Sequence, residues 1–373
     1  MLELGRGALE KMSVQLESGV PVQYAFRFGE GLVPVNPLIG RTLRLEYLGA
    51  IHCTHCGRKT NKSFSQGYCY PCFKKLPQCD VCIMSPEKCH HDFGTCRDPQ
   101  WGLDFCMTDH VVYLANSSGI KVGITRATQL PTRWLDQGAS QALPIMRVAT
   151  RQQSGMVEDL LRSQVADRTN WRALLKGDAE PIDLIEMRER IFDACADGVR
   201  DLQLRYGLQA IQPVADAEVV EIRYPVEAYP TKVVSLDLDK TPVVEGTLLG
   251  IKGQYLILDT GVINIRKFTA YQVAASAPRR ADDVSLAHGH GAPGSMTSGL
   301  DKGWSRLRRS PPYKSAATDA KLEFIRTPAP GLAVHRHIPL EACRLKLSRR
   351  GFHAHRTTES HSSEGLPGPR VPD

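Results

Sequence analysis

Nine of the eleven cysteines fall between Cys53 and Cys106, and only Cys195 and Cys343 lie outside that stretch. No other feature restricts the fold so tightly. The segment is interspersed with Gly, Pro and Asp and has no room for a helix of more than a few turns. Two CxxC knuckles stand out, Cys53-Thr-His-Cys56 and Cys69-Tyr-Pro-Cys72, with twelve residues between them. Tetrahedral zinc takes four ligands, with thiolates about 2.3 Å from the metal, and paired knuckles supply such a set. Gly57 follows the first knuckle and Gly67 precedes the second, as in the arm of a zinc ribbon. Rival readings are an iron–sulfur cluster and a redox CxxC, the latter needing a helix N-terminus in a thioredoxin-like context. The spacing favours a structural zinc on Cys53, Cys56, Cys69 and Cys72. Cys195 shares a helical pattern with Ile191, Phe192 and Val199 and reads as core, whereas Cys343 has no base nearby.

A second constellation follows: Cys79, Cys82, Cys89, His90, His91, Cys96, Cys106 and His110. Eight donors exceed what one zinc uses. The expected ligands of a second structural zinc are Cys79, Cys82, Cys89 and Cys96, with His90 or Cys106 as the substitute. Reducing conditions in the cytoplasm disfavour structural disulfides, so the cysteines need another explanation. Met1 to Leu9 lacks both the basic and the apolar regions of a signal peptide. No run approaches the roughly 18 apolar residues of a membrane span. The expected location is the cytoplasm.

The formal charge of +7 invites a polyanionic partner, but its placement qualifies that. Residues 279–373 hold 16 Lys+Arg and 9 Asp+Glu, which leaves 31 of each in residues 1–278. The whole surplus therefore belongs to the last quarter. Stretches such as AHGHGAPGSMTSG and HSSEGLPGPRVPD lack any sustained period, so 278–373 reads as a disordered basic tail whose histidines form no specific site. Within the neutral remainder, residues 111–176 carry nine basic and four acidic side chains, a local +5.

At about 150 residues per domain, 373 residues suggest two or three domains. The expected fold class is α+β. Residues 1–50 read as an N-terminal β segment (VPVQYAFRF, LVPV, RTLRLEYLGAI), and 51–109 as the zinc-ribbon-like cysteine-rich segment. Residues 110–180 form a small α/β domain. It opens on a hairpin, HVVYLANSSGIKVGIT, and continues with helices near 130–138, 154–166 and 168–176. Residues 181–212 are helical, with Ile182, Ile185, Ile191, Val199 and Leu202 on one face. Residues 213–277 return to strands: VVEIRYPV, TKVVSLDL, VVEGTLLGI, QYLILDT and VINIRKF.

The hairpin bears Tyr113 on its first strand and Lys121-Val-Gly123 on its second; Arg133 and Glu158 follow on helices. These residues resemble the GIY-YIG endonuclease superfamily, in the branch whose second motif reads Lys-Ile-Gly. Val-Val-Tyr stands at the first motif without its glycine, and Lys121 replaces the tyrosine of most relatives. Asp136 and Gln137 stand where many active members carry histidine. The resemblance spans about residues 110–176. The body as a whole, with GIKGQYLILDTGVINIRK near its end, also looks like a bacterial family of unknown function that joins a cysteine-rich ribbon to such a domain.

The resemblance implies metal-dependent cleavage of phosphodiester bonds. Glu158 would hold one Mg²⁺ or Mn²⁺, a hard cation suited to oxygen donors. Arg133 would contact the scissile phosphate, and Tyr113 and Lys121 would orient or deprotonate the water. Nucleic acid, DNA or RNA, is then the expected partner. Each residue also has a plainer use: Tyr113 as strand packing, Arg133 and Glu158 as a surface ion pair. Two other classes of function fit: a non-catalytic nucleic-acid-binding or regulatory protein, and a protein-interaction scaffold with structural zinc.

Overall fold

In the computed structural model, residues 1–165 and 170–279 are described. The expected basic tail from residue 280 onward, with Cys343 and the tail histidines, lies outside the described residues, as does Arg168 of the local basic surplus. The described residues all belong to one contact unit, Met1–Ser315; the second unit, Ala316–Asp373, lies wholly outside them.

The chain opens with β1 (Leu2–Ala8), β2 (Ser13–Gln15), β3 (Gln23–Phe28), β4 (Gly31–Pro34), β5 (Thr42–His52) and β6 (Lys59–Thr60). The cysteine-rich stretch holds only the short helices α1 (Tyr70–Lys75), α2 (Val81–Met84) and α3 (Pro99–Phe105), between 3₁₀ turns. Then come β7 (His110–Asn116), β8 (Ile120–Arg126), α4 (Thr132–Asp136), β9 (Gln141–Val148) and α5 (Arg151–Leu161). The helices α6 (Trp171–Leu174), α7 (Leu184–Ala194) and α8 (Ala196–Tyr206) precede β10 (Ile211–Pro213) and β11 (Val220–Glu221). Last are β12 (Val243–Lys252), β13 (Tyr255–Leu258), β14 (Gly261–Asn264) and β15 (Tyr271–Ala277). The mixture is α+β, and among the described residues no helix is long and apolar enough to cross a membrane.

Pairing is antiparallel throughout the named strands, and it crosses the expected boundaries. One sheet runs β1-β15-β5-β12-β13-β14, with β6 beside β5. Residues 1–50 and 213–277 are therefore not separate β units. Tyr271 to Ser276 of β15 pair with Ile51 to Arg44 of β5, and Val243 to Thr247 of β12 with its other edge. Such register depends on contacts more than 190 residues apart in the chain, which no local pattern reveals. The smaller sheet β2-β3-β4 packs into the same core. The segment 181–212 is likewise not independent, because β10 and β11 pair with β9 and α7 and α8 cover that sheet. TKVVSLDL is not a strand. It runs beside β14 through one parallel bridge, Ser235 to Val262, with Gly261 so close that a β-carbon there would stand 2.7 Å from the Val234 carbonyl.

The third sheet, β10-β9-β7-β8 with β11 on β9, places β7 between β9 and β8. Every residue of His110–Asn116 is buried. Val111, Tyr113 and Ala115 face the large β-sheet core, and Val112 and Leu114 face α5, α7 and α8. A strand covered on both faces needs a continuous apolar run, and VVYLA is one. Each large side chain buried there contributes roughly 1.5–3 kcal/mol. Helix α5 starts cleanly because Thr150 and Gln153 form a reciprocal capping box.

The exception on β7 is His110, buried at its start. Its Nδ1–H donates to the Thr108 carbonyl at 2.7 Å, while Nε2 is buried without a partner. Burial, reinforced by Arg151 and Arg126, pushes its pKa down to about 4, against about 6.5 in an unfolded chain. Its neutral form therefore supports the fold fully above pH 6.5, and that support is lost as pH falls toward 4. Urea unfolding between pH 7 and pH 4.5 should show a loss on the order of 2 kcal/mol that is absent in His110→Asn.

Candidate functional site

The first knuckle begins where β5 ends. The Cys53 carbonyl accepts from Gly57 N–H at 2.8 Å, a turn in which Gly57 adopts φ +69°. The second knuckle opens α1, with Cys69 as its N-cap residue and Cys72 in its first turn. All four donor atoms of Cys53, Cys56, Cys69 and Cys72 lie within 4.8 Å of one another. Cys56 Sγ and Cys69 Sγ are 3.7 Å apart. Tetrahedral ligands at about 2.3 Å from zinc stand about 3.8 Å from each other, so the set fits that ion.

The thiols also show the electrostatics of a preformed cation site. Burial pushes Cys53 up, but N–H groups of Cys69, Cys56 and His55 outweigh it and bring the thiol down to about 6. Desolvation, and then the three neighbouring sulfurs, push Cys72 up to about 12. Four close sulfurs cannot all ionise without a compensating charge, and a divalent ion supplies it.

The second set of donors is arranged differently from expectation. Cys82, Cys89, Cys96 and Cys106 line one small cavity together with His90 and His91. Cys79 is not on its wall. It points toward the first knuckles, with Ser65, Arg97 and Cys53 close enough to act on its charge. The physical reason is the 3₁₀ turn Pro77–Cys79, which buries Cys79 before Asp80 caps α2 and turns Cys82 the other way. Cys106, at the end of α3, takes the place on the wall that Cys79 was expected to hold. His110 belongs to β7 and also stands off it.

In the α/β part, the four singled-out residues are brought together. Tyr113 is fully buried, and its hydroxyl donates to Gln137 Oε1 at 2.9 Å. Burial pushes this phenol up, while Arg133, by charge and by hydrogen bond, pulls against it. Lys121 is 4% exposed. Burial first and then Arg133 bring its pKa down to about 8, with Glu158 opposing. Glu158 is partly shielded, 13% exposed, and lies 3.7 Å from Arg162. Tyr113 and Lys121 therefore both stand in the field of Arg133 and Glu158.

The register explains the glycine of Lys-Val-Gly. Gly123 pairs directly with Tyr113, and the phenol ring lies across it: a β-carbon there would meet ring Cζ and the hydroxyl at 2.7 Å. On the other edge, β7 carries a register shift between Val112 and Tyr113 against β9, which re-aims the tyrosine. Trp134 of α4 meets the ring edge-on, with centroids 6.1 Å apart.

Further participants come from remote segments. Asp136 accepts from Lys11 Nζ at 2.6 Å and from Gln254 Nε2 at 2.9 Å, which ties α4 to both flanking β regions. Arg266, in the 3₁₀ turn after β14, feels the charge of Arg133, as does Arg151 of α5. Arg266 and Arg151 carry no motif, and Gln137 shows in the sequence only as one of two residues, with Asp136, standing where many active members of the resembled family carry histidine. Their roles come from tertiary placement.

Gly123→Ala is expected to destabilise the protein by about 1–3 kcal/mol in denaturant unfolding and to alter the near-ultraviolet dichroism of Tyr113. The knuckle site predicts tightly bound zinc in the purified chain, measured by plasma mass spectrometry, with one equivalent lost in Cys56→Ser.

No curated protein and no solved structure gives a significant match to this chain. One family model matches, described as a protein of unknown function, and it covers residues 40–273, from just before β5 into β15. The match thus takes in the knuckles, the cysteine-lined cavity and the four converging residues together. On that coverage the chain belongs to the DUF2797 family.

Proposed function

We propose that this protein acts on the phosphodiester backbone of nucleic acid at the site formed by Tyr113, Lys121, Arg133 and Glu158. The observation that carries the reading is their convergence: residues from two strands and two helices share one electrostatic environment. The resemblance to GIY-YIG endonucleases rests on these same four positions and the glycine between them.

The chemistry follows from the groups. Arg133 is half-buried, with a planar guanidinium suited to two phosphoryl oxygens. Lys121, brought down to about 8, is neutral in roughly a tenth of molecules at pH 7 and in about half at pH 8, and in that form can take a proton from an attacking water. Tyr113 holds Gln137 in position through its hydroxyl and stands within the field of Arg133. The carboxylate of Glu158 is a hard oxygen donor, as Mg²⁺ or Mn²⁺ requires, and such an ion would supply positive charge to the developing phosphoryl oxygens. Arg151 and Arg266 add to the local positive field.

A second reading is binding without cleavage. The full burial of Tyr113 and the 4% exposure of Lys121 favour it, because water reaches neither side chain freely. The zinc-bearing parts then serve as structure.

The deciding experiment incubates the full chain with labelled single- and double-stranded DNA and RNA in Mg²⁺ or Mn²⁺. Cleavage should rise with pH through about 8, as Lys121 loses its proton. Glu158→Gln should lower it by roughly 10² or more with unchanged circular dichroism. If neither chain cleaves but both bind with steep salt dependence, the binding reading stands. If neither cleaves nor binds, both readings fail.

A further inference from the structure

The lobe between Cys79 and Cys106 has little apolar interior. Val81, Met84, Phe93 and Leu103 are exposed, and its helices have four and seven residues. Neither propensity nor burial holds elements this short. Yet the lobe grips α5 at defined points. Arg151 N–H donates to the Cys106 carbonyl at 2.8 Å, Arg151 Nη2 to the Ile83 carbonyl at 2.6 Å, and Gln152 Nε2 to the Cys89 carbonyl at 3.2 Å. Gly155 lets the backbones touch, since a β-carbon there would stand 2.7 Å from Pro86 Cβ.

The cavity inside the lobe encloses about 10 Å³, room for a single ion or water. Several donors on its wall are already engaged. Cys96 donates to the Asp98 carbonyl at 3.3 Å, and His90 has Thr95 Oγ1 at 2.9 Å and Asp80 at 3.4 Å. Asp80 itself pairs with Arg97 at 2.9 Å. Asp80, Cys82 and His90 present donor atoms within 4.8 Å of one another, but the carboxylate and imidazole are each other's partners; Cys82, Cys89, His91 and Cys106 share the cavity wall without all lying within that distance.

The thiols of Cys82, Cys89 and Cys106 lie near enough for their charges to act on one another, and His91 Nε2 on the same wall is buried without a hydrogen-bond partner. The other nitrogen of His91 faces the Asp92 carboxylate at 3.6 Å, a placement that metal-binding imidazoles use. Arg151 reaches the same lobe with its Nε buried and unpartnered, and it feels the charges of Cys106 and Cys82. A buried guanidinium in this state needs an anion beside it.

We propose that Cys82, Cys89, His91 and Cys106 hold a second structural zinc, separate from the knuckle site, and that this ion clamps the lobe onto α5, the helix that carries Glu158. Zn²⁺ displaces three thiol protons, and three thiolates with the ion sum to −1, which balances Arg151. The clamp does not depend on the phosphodiester reading.

Zinc counted per full chain should be two in the wild type and one in Cys82→Ser, His91→Ala and Cys106→Ser; it should remain two in Cys79→Ser and Cys96→Ser. Where a variant fails to fold, cadmium-113 NMR of the substituted wild-type chain replaces it, with one all-sulfur resonance and one of three sulfurs and a nitrogen. One zinc in the wild type, a single cadmium resonance, two all-sulfur resonances, or full retention of zinc in His91→Ala overturns the site. In the same His91 variant, amides of Arg151–Leu161 should exchange ~10-fold faster or more while β12 and β15 keep their protection. Unchanged exchange in α5 overturns the clamp.

Discussion

The structure is organised around the burial of strand β7 on both of its faces. Its backbone groups are taken up by β8 on one edge and β9 on the other. Its side chains divide between two cores, one built from the first and last β segments and one from the helices after residue 150. Solvent therefore touches Tyr113 on neither side, and its hydroxyl must be satisfied by protein groups. Gln137 does this, and the requirement draws the end of α4 into place. The same burial makes Gly123 necessary, because the ring has nowhere to lie except across its neighbour on β8.

Positive charge in this protein is a local matter. Residues 1–278 carry equal numbers of basic and acidic side chains, yet Lys121, Arg133, Arg151 and Arg266 gather around one place. Concentrating like charges at the edge of a core is costly unless an anion relieves it. Glu158 supplies part of that relief, and a phosphate backbone or a thiolate cluster would supply more. The cysteine lobe and the α/β site meet at α5, whose first turn touches the lobe and whose later turns carry Glu158. A metal held in the lobe would thus be connected to the geometry of the polar site through one rigid element.

Much of this is legible locally. The CxxC spacing marks four thiols that can hold a metal ion, since chelation by i, i+3 thiols is a property of short segments. The β7–β8 hairpin shows through its turn residues and its apolar run, and Thr150-x-x-Gln153 carries the capping signature of α5. The second cysteine set was only partly legible. Eight donors within 32 residues can be grouped in several ways, and the turn that sends Cys79 one way and Cys82 the other leaves no mark in their spacing.

By itself, then, the sequence determined the local chemistry: which thiols could chelate, where the hairpin turns, and that Tyr113 and Lys121 fall on strands and Arg133 and Glu158 on helices. Tertiary structure alone decided that the two ends of the described body share one sheet, that Cys106 rather than Cys79 faces the cavity, and that Arg151 and Arg266 join Arg133. Each of these depends on side chains from distant segments meeting in a core. Burial and charge neutralisation act on groups near in space, and the order of residues along the chain does not record that nearness.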